Sequence, residues 1–312
     1  MPPEQAALLS HAIDRPAHAA LVGNCTNGSP NVKAIIKNFV RRTARNPISW
    51  TVYKSCGHLS DFFGRIYGAA KYARERGALI MEIQSELFPD LTVMKGPFKK
   101  LRYPSAQSVG STLLPKLLGS YESELQPTLS RMLENRYSAV VDIGCAEGYY
   151  AIGAAMRLPD AHVYAYDINP KARQLCAEMA RLNCVSDRIH IEGFCTEESL
   201  RSIPLGERAL IICDCEGYEG SLFTRHLAKF LAKHDLIVET HDFIDIELST
   251  KIRDAFSETH HVQSIKSLDD IEKAQICRDP ALKRYNTRDK HLILMEERPA
   301  IMEWLVMTSK VR

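Results

Sequence analysis

The segment Ala139-Val-Val-Asp-Ile-Gly-Cys-Ala-Glu-Gly148 constrains the fold more than any other stretch of this chain. Five mostly apolar residues run straight into a turn with glycines at 144 and 148 and a small alanine at 146. An unbroken apolar run of that length is the pattern of a strand buried on both faces. The turn is small enough for backbone to approach a ligand closely before a helix begins, here over Tyr149 to Arg157. The pattern then repeats. His162–Asp167 reads as a strand and Pro170–Leu182 as a helix with its proline at the favoured first turn. Further strands are expected at Arg188–Ile191, Ala209–Cys213, Leu236–Glu239, His260–Ile265 and His291–Met295. Short apolar strands alternating with helices predict an α/β fold with a mainly parallel sheet covered on both sides.

Upstream of Ser138 the character differs. Residues 61–74 carry apolar side chains at helical spacing, Gly96–Ser105 is punctuated by glycine and prolines, and Ser120–Leu133 reads as an amphipathic helix. In a chain of 312 residues the expected division is a mainly helical N-terminal extension over 1–137, a substrate cap or homodimer interface, followed by the α/β domain over 138–312. Charge divides similarly: residues 1–136 hold 18 Lys and Arg against 10 Asp and Glu, and the remainder 22 against 28. The basic clusters Arg41, Arg42, Arg45 and Lys95, Lys99, Lys100, Arg102 are short and not interleaved with stacking aromatics. They read as solvated faces rather than a nucleic-acid footprint, although Arg102 and Tyr103 could serve an anionic or sugar-like acceptor. The charged stretch Lys266–Lys290 reads as a solvated excursion between the last two strands. No run approaches the roughly 18 apolar residues of a membrane span. The N-terminus lacks the basic start of a signal peptide, and the nine cysteines are odd in number with no paired zinc-ligand spacing. The expectation is a cytoplasmic protein with reduced thiols and no membrane partner.

Open α/β sheets bind ligands at the carboxyl ends of their strands. A dinucleotide fingerprint would need glycines where Ala146 and Tyr149 stand, and no Gly-Lys-Ser/Thr follows to form a P-loop. Asp167 ends the second strand, where a carboxylate can accept hydrogen bonds from ribose hydroxyls. A glycine turn plus this acid, without a pyrophosphate site, fits a nucleoside ligand such as S-adenosylmethionine.

Val141-Asp-Ile-Gly-Cys-Ala-Glu-Gly-Tyr-Tyr150 followed by Tyr166-Asp-Ile-Asn-Pro170 resembles motifs I and II of class I S-adenosylmethionine-dependent methyltransferases. Asp214-Cys-Glu-Gly-Tyr-Glu219 and Val238-Glu-Thr-His241 resemble the D-x-E-G-x-E and E-x-H signatures of the FkbM-type enzymes, mainly O-methyltransferases of small hydroxylated molecules such as sugars and polyketides. The resemblance covers roughly Ser138–Arg298. It implies a Rossmann-like seven-stranded, mainly parallel sheet, bound S-adenosylmethionine and a hydroxylated small-molecule acceptor. Two departures stand out: the extra spacing in Asp167-Ile-Asn-Pro170 where the family has Glu-Pro, and the long N-terminal region. Carried over by position, Asp142 and Cys145 organise the first loop, and Gly144, Ala146 and Gly148 face the methionine part. Asp167 takes the ribose, Ile168 and Gly193–Cys195 the adenine, and Asp214 the cofactor edge. Tyr121 and Glu122 lie where upstream helices of such enzymes cover the cofactor.

Methyl transfer from a sulfonium needs alignment and water exclusion, and an alcohol acceptor also needs its proton removed or its oxygen polarised. Three readings are open, one being that Glu216 and Glu239 only cap helix starts or bind the cofactor's amino group. Asp214, Glu216 and Glu239 could hold Mg²⁺ against a substrate hydroxyl. Alternatively His241 acts as general base, oriented by Glu216 or Glu239, with Glu219 starting a helix. A nucleic-acid acceptor is disfavoured, because adenine-N6 enzymes normally carry Asn/Asp-Pro-Pro-aromatic where this chain has Asp214-Cys-Glu-Gly217. A cofactor-binding scaffold without turnover is the remaining alternative, and the intact Gly144, Gly148 and Asp167 speak against decay of the site.

Overall fold

The computed structural model describes residues 76–311, together with Lys71 and Arg74. Contacts divide the chain into Met1–Arg74 and Glu75–Arg312, and the second unit is the one described below. The expected helical stretch 61–74 and the cluster Arg41, Arg42, Arg45 fall outside the described residues, Lys71 and Arg74 excepted.

Seven strands form one sheet: β1 Ala139–Ile143, β2 His162–Tyr166, β3 Ile189–Glu192, β4 Ala209–Cys213, β5 Asp235–Thr240, β6 His260–Lys266 and β7 Glu303–Ser309. Their order is β3-β2-β1-β4-β5-β7-β6. Only β7 runs antiparallel to its neighbours. β1, β4 and β5 are buried at every position, as their continuous apolar runs require. Neighbouring residues supply opposite cores. Val140, Ile212 and Trp304 pack on one face, and Val141, Ile211 and Leu305 on the other.

Residues 76–87 are helical, and between them and β1 lie α1 Leu113–Leu118 and α2 Gln126–Met132; α3 Tyr149–Arg157 follows β1 and α4 Pro170–Leu182 follows β2. Next come α5 Glu197–Ser202, α6 Glu219–Leu222, α7 Arg225–Phe230 and α8 Leu248–Phe256. Two more, α9 Asp270–Ile276 and α10 Thr287–Leu294, lie between β6 and β7. Sequence periodicity places a helix over Ser120–Leu133, but it begins only at Gln126. Glu122 has a left-handed backbone (φ 50°), and Pro127 sits in the first turn, where its missing N–H costs nothing.

The last strand is the clear miss. His291–Met295 is helical and the seventh strand is Glu303–Ser309. A short apolar run cannot distinguish a strand from the buried side of a helix. Here Asn286 decides, because its side chain accepts the Asp289 N–H and caps α10. The stretch beginning at Lys266 is likewise not a solvated excursion. It carries α9 and α10, and Leu282, Ile293 and Leu294 enter the same core as α3 and the residues before β1.

Those upstream residues are packed as core. Val93 N–H donates to the Leu101 carbonyl (2.8 Å), closing a tight loop that drives Phe98 against α3. The Phe98 ring meets Tyr149 and Tyr150 edge-on at 5.1 and 5.8 Å. Gly153 makes this possible, because a Cβ there would stand 2.4 Å from the ring. The described cysteines are all unbridged, as expected. No helix among the described residues is long and apolar enough to cross a membrane.

Gly153→Ala is a sharp test of this packing. Alanine gains about 1 kcal/mol of helix propensity over glycine. Displacing a buried aromatic ring costs about 1–3 kcal/mol through overpacking. The expected outcome is a lower midpoint in thermal or urea unfolding; a higher midpoint would show that Phe98 yields freely.

Candidate active site

The order of strands reverses at β1, between β2 and β4, and the loops after β1 and β4 diverge there to leave a crevice. Gly144 N–H donates to the Tyr166 carbonyl (2.8 Å), and Asp214 N–H donates to the Ile143 carbonyl (2.9 Å). Gly144 has φ 85°, and a Cβ on it would lie 1.6 Å from the Asp214 carbonyl oxygen. Only glycine fits this contact. Ala146 follows with a left-handed φ of 48°, strained for a residue with a Cβ, and its N–H donates to Asp167 Oδ2 (2.8 Å). Asp167 Oδ1 accepts the Asn169 N–H (2.7 Å), so this carboxylate ties the first loop to the start of α4. Spacing alone did not reveal that second task.

A cavity of about 320 Å³ occupies the crevice. All eight residues expected around the cofactor line it except Gly148, which starts α3 behind the wall with φ 101°. Asp142 and Asp214 lie at its inner end, Asp167, Ile168 and Tyr166 on one side, and Phe194 and Cys195 beyond. Ile168 is 76% exposed, at the rim. Asp142 is buried, and desolvation pushes its carboxyl up to about 8, against the opposing backbone hydrogen bond from Ala151. Its Oδ2 and the Oδ1 of Asp214 are buried with no hydrogen-bond partner. Buried oxygens without donors, on a cavity wall, suit a ligand that brings N–H groups and positive charge. An adenosyl sulfonium amino acid does both, so the residues present fit S-adenosylmethionine.

Residues before β1 close the remaining side. Val109, Gly110, Ser111, Lys116 and Tyr121 all line the cavity. Lys116 and Glu147 form a buried ion pair of 2.6 Å, and Glu147 also accepts the Val109 N–H (2.9 Å). Burial alone would raise the Glu147 pKa, but Lys116 outweighs it and holds the carboxyl low. The small-residue run Ser105–Thr112 was the available signal for this cover. Arg102 and Tyr103 do not reach the site: Arg102 binds the Leu182 carbonyl, and buried Tyr103 stands 3.4 Å from Glu147. Their loop faces α4 instead.

A second cavity of about 70 Å³ adjoins the first and shares Gly110, Ser111, Tyr121, Asp214 and Glu216 with it. His241 forms part of its wall. The buried ring sets Nε2 3.4 Å from Asp214 Oδ1 and 3.5 Å from Glu216 Oε2, and Nδ1 3.1 Å from Glu219 Oε1. The carboxylate behind the ring is therefore Glu219, where sequence spacing pointed to Glu216 or Glu239. Glu219 does begin α6, as expected, and its Oε1 also accepts the Cys215 N–H (2.9 Å). The last glutamate of the D-x-E-G-x-E motif was the signal for this contact. Burial would raise the Glu219 pKa, yet the histidine beside it holds it low. Burial would depress the His241 pKa, but Glu219, then Asp214 and Glu216, raise it above 6.5.

Glu239 also lines the second cavity but has no ion-pair contact with His241. It binds Arg298, which also holds Glu122 (2.8 Å) and Glu296 (2.9 Å). Desolvation and then Asp214 push the Glu239 carboxyl well above its ordinary value. Burial likewise carries Glu122 up to about 7, against the pull of Arg298. Lys273 of α9 pairs with Glu296 at 2.5 Å. Arg298, Glu122 and Glu296 carried no recognisable motif. Asp214, Glu216 and His241 bring one ligand atom each within 4.8 Å of one another, as do Cys213, Cys215 and Glu219, and Glu239 of the expected cation set belongs to neither group.

Residues 126–214 match the family model for ribosomal protein L11 methyltransferase. Ribosomal RNA large subunit methyltransferase G of Shewanella amazonensis is 29% identical over 101 residues, 32% of this chain and 26% of that protein. A tRNA1(Val) (adenine(37)-N6)-methyltransferase of Vibrio cholerae is 26% identical over 129 residues, 41% of this chain and 48% of the relative. The chain thus spans about a quarter to a half of the length of these relatives. Among solved structures, precorrin-6y C5,15-methyltransferase from Geobacter metallireducens has a TM-score of 0.40 at 13% identity, covering 59% of this chain and 89% of that one. Fold, first loop and matched segment define the class: a class I S-adenosylmethionine-dependent methyltransferase domain. The family match ends at Asp214, so Glu216, Glu219, His241 and Arg298 lie outside it.

Gly144→Ala should abolish calorimetrically detected S-adenosylhomocysteine binding, because the new Cβ separates the loops after β1 and β4. Gly77→Ala, with nothing within 4 Å of the added carbon, is the matched control and should bind normally. Equal binding by both variants would contradict the loop geometry.

Proposed function

We propose that this chain transfers the methyl group of S-adenosylmethionine to a hydroxyl of a small polar acceptor, with His241 as general base. The relay Glu219–His241–second cavity carries this reading: a buried carboxylate stands 3.1 Å from one ring nitrogen, and the ring lines the space beside the cofactor pocket. An alcohol oxygen is a poor nucleophile while it holds its proton, and an imidazole within reach can take that proton as the oxygen–carbon bond forms. Bound S-adenosylmethionine supplies an activated methyl on sulfur and leaves as S-adenosylhomocysteine. Asp167 and the first loop orient it, and Val109–Ser111 with Tyr121 exclude water, the capping role proposed for the region before β1. The D-x-E-G-x-E and E-x-H spacings of FkbM-type O-methyltransferases fall on Asp214, Glu216, Glu219, Glu239 and His241 and support the same chemistry.

The relatives named for ribosomal RNA and transfer RNA bring a macromolecular acceptor into view. The carboxylates around the second cavity oppose a phosphate backbone, and the planar-amine motif of adenine-N6 enzymes is missing from Asp214-Cys-Glu-Gly217. A second reading is favoured by the convergence of Asp214, Glu216 and His241: a divalent cation there would polarise the acceptor oxygen and replace the base.

The two readings separate in solution. A base works only when neutral, and the His241 pKa is raised, so kcat/KM should climb with pH to a plateau with its half-point above 6.5. Glu219→Gln removes the largest raising influence and leaves burial, so the half-point should move down. His241→Ala should cost about 10²–10⁴-fold in kcat. Activity unchanged by His241→Ala sinks the base. Turnover abolished by EDTA and restored by Mg²⁺ would establish the cation reading instead.

A further inference from the structure

The second cavity is charged in a way that proton abstraction alone does not require. Asp214, Glu216, Glu239, Glu296 and Glu297 line it, and among the described residues Arg298 is the only Lys or Arg on its wall. Arg298 is committed to Glu122, Glu239 and Glu296. Lys273 takes Glu296 from behind, and Arg76 takes Glu297. Glu216 is left with His241 Nε2 at 3.5 Å as its ion-pair contact, and 75% of its side chain is exposed. It stands on a left-handed backbone, φ 57°, a conformation that costs free energy in a residue with a Cβ.

The half-exposed ring of Phe243 lines the same cavity and packs edge-on to His241 with centroids 5.8 Å apart. A free carboxylate next to an aromatic face is the pairing that recognises an ammonium group. An anionic group entering here would meet carboxylates and find no uncommitted cation. The volume, about 70 Å³, admits a short polar fragment.

We propose that the acceptor is a small hydroxylated amine, its hydroxyl directed to His241 Nε2 and its ammonium held by Glu216 and the face of Phe243. This rests on the O-methyl transfer reading above and names its substrate class. Glu216 is then a specificity-determining residue, and His241 keeps the proton chemistry.

The test is binding to the full chain saturated with S-adenosylhomocysteine, followed by ligand-observed NMR titration. Glucosamine, glucose and glucose 6-phosphate serve as amine, neutral and anionic probes. Glucosamine should bind about fivefold or more tighter than glucose, as one ammonium–carboxylate contact and one aromatic face allow. Glucose 6-phosphate should bind weakest. Glu216→Gln should bring glucosamine down to the level of glucose, and 0.5 M NaCl should narrow the same gap in the wild type. Equal affinities, a preference for glucose 6-phosphate, no binding of glucosamine, or a gap untouched by Glu216→Gln each overturns the proposal. Failure of S-adenosylhomocysteine itself to bind would instead overturn the methyltransferase reading beneath it.

Discussion

Everything at the carboxyl end of the sheet depends on one close approach, Gly144 against the carbonyl of Asp214. β1 and β4 are parallel neighbours in register from Ala139 with Ala209 to Ile143 with Cys213. The two chains leave the sheet side by side, with room between them for a hydrogen but not for a methyl group. That contact fixes where the cofactor loop ends and where the acceptor loop begins. Asp214 consequently belongs to both cavities, which share a wall instead of lying apart. Alignment of donor and acceptor is the main thing a methyltransferase must supply. Here it is built into the backbone of a strand pair.

Burial and charge are balanced around that wall. Two unit charges about 4 Å apart attract by about 4 kcal/mol at an effective dielectric constant of 20. Removing an ion from water costs several kcal/mol. Arg298 touches three carboxylates and cannot fully compensate all of them. The result is visible at Glu122, which sits on the arginine and is still carried up to about 7 by desolvation. At Glu147 the balance tips the other way, because Lys116 and the Val109 N–H serve that one carboxylate and its pKa falls. Four non-glycine residues with left-handed backbone, Glu122, Ala146, Glu216 and Glu297, stand in or directly behind the two cavities. Strain of this kind persists where surrounding packing over-determines the chain, and here it coincides with the site.

The sheet was legible because β1, β2, β4 and β5 announce themselves by local composition, and Gly144 and Gly148 announce the turn between strand and helix. The eight residues expected around the cofactor lie within a few positions of three strand ends, those of β1, β2 and β4, which is why local pattern could nominate them. What stayed hidden was decided at long range. Arg298 meets Glu122 across 176 positions of sequence, and Lys273 meets Glu296 across the α9–α10 insertion. The strand misplaced at His291–Met295 failed for the opposite reason, since four apolar residues fit either period and a single capping asparagine settles the matter. Glu219 was read for its helix start, which is correct, but a helix terminus also aims its side chain. No sequence rule gives that direction when the partner, His241, comes from another strand.

A sulfonium donor gives the buried carboxyls a further meaning. Transfer of a methyl group to a neutral oxygen disperses the positive charge that was concentrated on sulfur, so ionised carboxylates close by would stabilise the starting cation more than the transition state. Only interactions stronger in the transition state accelerate the step. Burial works against that penalty at Asp142 on the wall of the larger cavity, whose carboxyl desolvation carries up to about 8. Glu219 is the exception, held low and therefore ionised, and it stands behind His241 rather than beside the donor. There its charge favours the protonated ring and raises the His241 pKa. Desolvation thus acts unequally on these acids, prevailing at Asp142 on the cavity wall and outweighed at Glu219 by the histidine beside it.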